Sequence, residues 1–149
     1  MIMNTLKLEI EIRLTTRKIV NLTDKYKGKN LGELYFKASN NCNEKFISEF
    51  IFAFAEKDGK TPFNGDINQV YDFLDNYMKE NKKSYKDIYN DIAEIINEEG
   101  FFSKKMTKEE LTEALNNPMA SINMEETMKN VVDKIATEVA SEEFKGYKG

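Results

Sequence analysis

The chain has 149 residues, 40% of them hydrophobic and 32% charged, with a net charge of -4 and a pI near 5.1. That length suits one packed core rather than two, and the scattered Lys and Arg offer no continuous basic surface, so nucleic acid is excluded as a partner. With no histidine and one cysteine, Cys42, the chain offers no imidazole base, thiolate cluster or internal disulfide, which removes nucleophilic triads, most zinc sites and a disulfide scaffold.

No charged start with an apolar run and a small-residue cleavage site opens the chain. The longest apolar candidate, FISEFIFAFA, is interrupted by Ser48 and Glu49 and falls short of the about 20 residues that span a bilayer. The expectation is a cytoplasmic protein that does not engage membranes.

Leu6, Leu8, Ile10, Ile12 and Leu14 alternate with Lys7, Glu9, Glu11 and Arg13, the period of a strand with one buried face. Thr15 or Thr16 can cap a helix carrying Ile19, Leu22 and Tyr26, which Gly28 would stop. No other segment alternates as well. The strand's unpaired edge therefore needs either the same strand of another subunit, making Leu6, Leu8, Ile10 and Ile12 a candidate self-association surface, or the arm 1–5 folding back onto it.

The stretch NLGELYFKAS predicts a short helix with Leu31, Leu34 and Tyr35 on one face, and a helix from about Glu44 to Lys57 follows with Phe46, Ile47, Phe50, Ile51 and Phe54. The loop EKDGKTPFNGD superficially resembles a calcium loop, but Lys60 and Pro62 stand where oxygen ligands belong, so it reads as a turn. Asp66 with Gln69 opens a helix whose stripe is Ile67, Val70, Tyr71, Leu74, Tyr77 and Met78. Ser84 with Asp87 opens another with Tyr85, Ile88, Tyr89, Ile92, Ile95 and Ile96 inward and Gly100 as C-terminal cap. Phe52, Phe73, Phe101 and Phe102 lie off these stripes and mark either a second packing layer or a docking patch.

Residues 102–106 read as a hinge between a core, 1–102, and a helical C-terminal extension, 103–149. Thr107 and Glu110 form a capping box for a helix with Leu111, Ala114 and Leu115, ended by Pro118. Asn123 and Glu126 cap a longer segment whose stripe is Met124, Met128, Val131, Val132, Ile135 and Val139. Flexible methionine side chains suit a surface that adapts to a partner, although filling a core is their commoner use. These six residues, with Phe101 and Phe102, are the candidate partner-binding set.

Chemistry is thin elsewhere. Asp87, Asp91, Glu94 and Glu98 share one helix face, which could hold a divalent cation or a basic peptide but more often is simply solvated, with Lys82, Lys83 and Lys86 nearby. Cys42 in SNNCNEK has no base to activate it as a nucleophile and reads as a loop or cap residue. No phosphate-cradling glycine motif occurs. No enzyme activity and no cofactor are expected.

The runs LTTRKIVNL after an alternating strand, GKNLGELYF, VYDFLDNYM and INEEGFF, in this order, resemble the tail assembly chaperones of siphophages and prophages of Gram-positive bacteria. The likeness covers about Leu6 to Phe102, and LTTRKIVNL is its most specific part. It implies a small helical protein that binds the tape measure protein, keeps it soluble and helps recruit the major tail protein. Such a protein would work in the bacterial host's cytoplasm and be left out of the mature virion; pairing through the free strand edge would make it a homo-oligomer. Many members of that family place a Gly-containing hairpin turn before the first helix, and this chain has no glycine there. The other reading is a phage- or prophage-encoded inhibitor or regulator that binds one host protein. The expected architecture is mainly α: a compact helical bundle with an N-terminal β-strand and a C-terminal helical appendage.

Overall fold

The computed structural model describes residues 1–27 and 29–117. Among them the chain forms β1 (Ile2–Asn4), β2 (Glu9–Ile12), α1 (Thr16–Thr23), a 3-10 turn (Asp24–Tyr26), α2 (Leu31–Asn40), α3 (Glu44–Phe54), β3 (Ala55–Glu56), α4 (Ile67–Asn81), α5 (Tyr85–Glu98) and α6 (Lys108–Asn116). The protein is mainly α, as its periodicities predict, with a small N-terminal sheet where they predict a single strand. No helix among the described residues is long and apolar enough to cross a membrane.

The strand is not alone. The sheet runs β1-β2-β3, antiparallel throughout, with Met3 opposite Ile10 and Ile12 opposite Ala55. The 1–5 arm does fold back, and it occupies one edge of β2 while the residues leaving α3 occupy the other: Ile12 N–H donates to the Met1 carbonyl at 2.8 Å and Arg13 N–H to the Phe54 carbonyl at 3.0 Å. Pairing of β2 with a second subunit is therefore closed off, because both of its backbone edges are already satisfied.

Leu6 also departs from expectation. It sits at the tip of the β1–β2 hairpin, 93% exposed, and the strand proper begins only at Glu9. The turn closes without glycine or a left-handed residue: the Thr5 hydroxyl accepts from the N–H groups of Lys7 and Leu8, and Thr5 N–H donates to the Leu8 carbonyl. A threonine side chain imitates the missing backbone turn. The end of α4 braces this hairpin, with Glu80 accepting from Leu6 N–H at 2.8 Å and Asn81 donating to the Asn4 carbonyl at 3.0 Å.

Helix starts follow the capping rules. Thr15 caps α1, and Asn30, Ser84 and Thr107 each form a complete capping box with Glu33, Asp87 and Glu110. Asp66 also caps α4, but its carboxylate accepts from Asn68 N–H and Gln69 takes no part through its side chain. At the C-termini, Gly100 (φ +81°) ends α5 in a Schellman turn, with Phe101 N–H reaching the Ile96 carbonyl at 3.0 Å. Cys42 and Lys82 take the same left-handed position after α2 and α4 without being glycine.

Between β3 and α4 the calcium-like loop is a pair of tight turns. Asp58 and Gly59, both with positive φ, form a two-residue hairpin loop closed by reciprocal Lys57–Lys60 backbone bonds. Asn64 and Gly65 repeat the geometry and aim Phe63 into the core, edge-on to Phe73 at 5.7 Å.

The core is centred on Tyr35 of α2, fully buried. Its ring meets those of Phe36, Phe46, Phe50, Tyr89 and Phe102 with centroids 5.4–6.3 Å apart, in edge-on or tilted arrangements that suit aromatic quadrupoles. The Tyr35 hydroxyl donates to the Tyr89 carbonyl at 2.6 Å, and the Tyr89 hydroxyl donates to the Asn43 carbonyl at 2.6 Å, so two tyrosines stitch α2, α5 and the α2–α3 turn together. Burial raises the pKa of both phenols well above the ordinary value, which keeps them neutral donors. Tyr71, expected inward, is instead 43% exposed, because Phe73 takes a buried position on α4 with Val70, Leu74 and Tyr77.

Replacing Tyr35 with Phe removes one buried donor while leaving the ring. We expect a loss of about 1 kcal/mol in urea unfolding with an unchanged slope, whereas Tyr35→Ala, which empties the centre of the core, costs about 3–5 kcal/mol.

Candidate partner-binding surface

The sequence-predicted binding residues separate into three groups. Ile10 and Ile12 lie in the core and Leu8 is half-buried, so of the proposed self-association strand only Leu6 is freely exposed. Phe102 is buried as well: its ring lies 4.7 Å from that of Phe36 and also meets Tyr35, and Phe101 beside it is half-buried against the same core. As a docking residue Phe102 is a misassignment. Burying its ring is worth about 2 kcal/mol to the core, and a partner could reach it only by undoing that packing. Met124, Met128, Val131, Val132, Ile135 and Val139 lie outside the described residues.

Phe73 is buried with Phe102, and Phe52 packs against the core, so these off-stripe aromatics form the second packing layer rather than an exposed patch. The ring of each fills space that the helical stripes alone leave between elements.

The boundary drawn at 102/103 also falls inside packed structure. Leu111, Ala114 and Leu115 of α6 are buried against α2 and α5. Asn97, buried near the end of α5, holds the connection by a bidentate pair: its amide donates to the Met106 carbonyl and its carbonyl accepts from Met106 N–H, both at 2.9 Å. Lys86 completes the join by donating to the Leu115 carbonyl at 2.9 Å and to the Ser39 hydroxyl at 3.2 Å. The segment 103–117 is thus part of the core.

Joining α6 to α5 in this way leaves a trough of about 360 Å³ between them, lined by Asn90, Glu94, Asn97 and Glu98 on one wall and Lys108, Leu111, Thr112, Leu115 and Asn116 on the other. Leu111 and Leu115 are buried, and the side chains that the trough exposes are polar: Glu94, Glu98, Lys108, Thr112 and Asn116. One turn of a helix about 10–12 Å across fills on the order of 500 Å³, so the trough takes a row of side chains from a helix face rather than the helix body. Asn90 supplies the one orphan: its Oδ1 is buried and has no hydrogen-bond partner among the described residues.

The acidic face of α5 divides between structure and surface. Asp87 serves the capping box, and the Ser84 N–H it accepts holds its pKa below the ordinary value. Asp91 pairs with Lys83 at 2.7 Å, which raises the pKa of that amine. Glu94 and Glu98 are left on the trough wall. Among the described residues no group of three or more His, Cys, Asp or Glu side chains converges as a metal site. Cys42 is half-buried and free.

Asn90, Leu111 and Leu115 were not paired as one surface by the sequence. The signal was present in Thr107, Glu110 and the leucine spacing, but the direction in which α6 folds back depends on Asn97, whose role no periodicity encodes. Set against family models, curated proteins and solved structures, the chain matches none of them.

Two outcomes follow. Asn97→Ala strands two backbone groups of Met106 and loosens α6, and we expect a loss of about 2–3 kcal/mol in urea unfolding. On acidification, Glu56 (bonded to Lys18), Asp87 and Glu110 (bonded to Thr107 N–H) all have folded-state pKa values below the ordinary ones. Depressed carboxylates stabilise the fold above their unfolded pKa, so the urea midpoint should hold from pH 7 to about 5 and fall as the pH drops further through about 4. In Asp87→Asn/Glu110→Gln that fall should be shallower.

Proposed function

We propose that this protein is a tail assembly chaperone: it binds the tape measure protein, keeps that long helical chain from aggregating and helps bring the major tail protein to it. The observation that carries the reading is the ordered series LTTRKIVNL, GKNLGELYF, VYDFLDNYM and INEEGFF. Its members fall on the β2–α1 junction, the capped start of α2, the body of α4 and the end of α5. The hairpin of β1 and β2 ahead of α1 is the two-stranded start that members of that family carry, and it supports the reading even though Thr5 replaces the expected glycine as the turn-forming residue.

The physical requirements agree. A tape measure exposes apolar helical stripes over a great length until the tail tube covers them, and an assembly factor must cover them reversibly. The α5–α6 trough, with its leucines buried and Glu94, Glu98, Lys108, Thr112 and Asn116 exposed, offers a shallow, mainly polar surface of the kind that gives modest, reversible affinity. A net charge of -4 keeps the covered complex dispersed. Such a factor works in the cytoplasm of the infected or lysogenic host and leaves before the virion matures.

The test is co-expression with a cognate tape measure fragment, followed by size-exclusion chromatography with light scattering. The expected result is a fragment that stays in solution only alongside this protein and co-elutes with it. A fragment that precipitates regardless, while this protein elutes alone, would overturn the reading and favour a host protein as the partner.

A further inference from the structure

The loop between β3 and α4 holds the one asparagine of the chain that a glycine follows, Asn64 before Gly65. From its surroundings we infer that Asn64 is a site of spontaneous covalent modification: its side-chain amide is lost through a five-membered imide, and the chief product is isoaspartate.

Three observations single out this asparagine. The first is access. Asn64 and Gly65 are both exposed, and the space that a side chain on Gly65 would take is open, so nothing hinders the approach of the Gly65 nitrogen to the Asn64 side chain. The second is the lack of restraint. Neither Gly65 N–H nor the Asn64 amide makes a hydrogen bond among the described residues, whereas the side chains of Asn30, Asn43, Asn81 and Asn97 are all engaged. The third is the turn itself. It is closed by one bond, from Asp66 N–H to the Phe63 carbonyl at 2.8 Å, so it can open for ring closure while the core stays folded. Both central residues have positive φ, +51° and +71°, and Asn followed by Gly is the pair that such a turn prefers. The residues that make the turn are therefore the ones that make it labile.

The chemistry needs only water. The Gly65 nitrogen gives up its proton and attacks Asn64 Cγ. The new N–Cγ bond forms, the Cγ–Nδ2 bond breaks, and Nδ2 leaves as ammonia carrying that proton. Water then opens the imide: its oxygen adds to one of the two ring carbonyls, one of its protons returns to the Gly65 nitrogen, and a carboxylic acid is left. Opening at Cγ gives aspartate, and opening at the main-chain carbonyl gives isoaspartate. The main-chain carbonyl, nearer the electron-withdrawing Asn64 nitrogen, is the more electrophilic. Nothing is oxidised or reduced.

The two products differ in what they do to the fold. Isoaspartate adds one carbon to the main chain between Phe63 and Gly65. This turn aims Phe63 into the core, edge-on to Phe73 at 5.7 Å, and sets Asp66 to cap α4 by accepting from Asn68 N–H at 2.9 Å. Lengthening it shifts the ring and the cap against each other and loosens the start of α4. Aspartate in normal linkage keeps the turn and adds a charge. The inference concerns the chain's own chemistry and is independent of the partner.

Incubation of the full chain in mildly alkaline buffer tests it, followed by the side-chain amide resonances and by mass spectrometry of peptides with fragmentation that separates isoaspartate from aspartate. The expected result is loss of the Asn64 amide ahead of every other asparagine among the described residues, with isoaspartate in excess. The loss should slow at least tenfold in Gly65→Ala, whose methyl group hinders ring closure. The isoaspartyl fraction, separated by ion exchange, should unfold at a lower urea concentration than Asn64→Asp, which carries the same charge in normal linkage. An Asn64 amide that outlasts the others would overturn the proposal, and so would a loss unchanged by Gly65→Ala. An isoaspartyl fraction as stable as Asn64→Asp would overturn its effect on α4.

Discussion

The architecture depends on one buried ring. Tyr35 touches aromatic side chains from α2, α3, α5 and the α5–α6 connection, and its hydroxyl is committed to the carbonyl of Tyr89. An apolar ring alone would hold these elements at a distance set by packing. The hydroxyl adds direction, because a buried phenol without an acceptor is costly and only one rotation of α5 presents the Tyr89 carbonyl to it. Tyr89 passes the constraint on by donating to Asn43, which fixes the turn into α3. Phe102 extends the same cluster past the end of α5, so the chain does not leave the core where its aromatic content falls.

That last contact determines where a binding surface can lie. With Phe102 buried and Asn97 clamping Met106, α6 is laid beside α5 rather than released as a flexible arm, and a trough opens between the two. At the opposite extreme of the sequence, the small sheet consumes two of the apolar residues that looked available for self-association: Ile10 and Ile12 face the core beside Met3, and both edges of β2 are paired. Leu6 at the hairpin tip and Ile2 on β1 stay exposed, and Glu80 and Asn81 of α4 hold the tip in place.

How far the fold can be read from the residues depends on the range of the interaction. Local chemistry is legible: Thr15, Ser84 and Thr107 cap the helices they are spaced to cap, and Gly100 ends α5. The three-residue β1 and two-residue β3 are too short for an alternating pattern, so their pairing with β2 left no periodic trace. The loop EKDGKTPFNGD reads as a turn, and Asp58–Gly59 forms one. Cys42 and Lys82 end helices in the left-handed conformation that glycine usually announces, so nothing local marks them. Phe102 acts through partners far along the chain, Tyr35 and Phe36, and Asn97 through Met106, nine residues on and beyond its own helix. The trough they create is therefore a product of tertiary structure, and of its lining the sequence offered only the acidic face of α5 and the leucines of α6 as separate facts.

Native-state hydrogen exchange on the full chain measures the central claim, that the Tyr35 cluster binds α2, α5 and α6 into one cooperative unit. The account predicts that the slowest amides of α2, α5 and α6 share a single opening free energy and the same denaturant dependence. If the amides of α6 instead exchanged through a separate, much lower-energy opening while α2 and α5 stayed closed, α6 would be an appendage, and the surface it forms with α5 would not be a fixed feature of the fold.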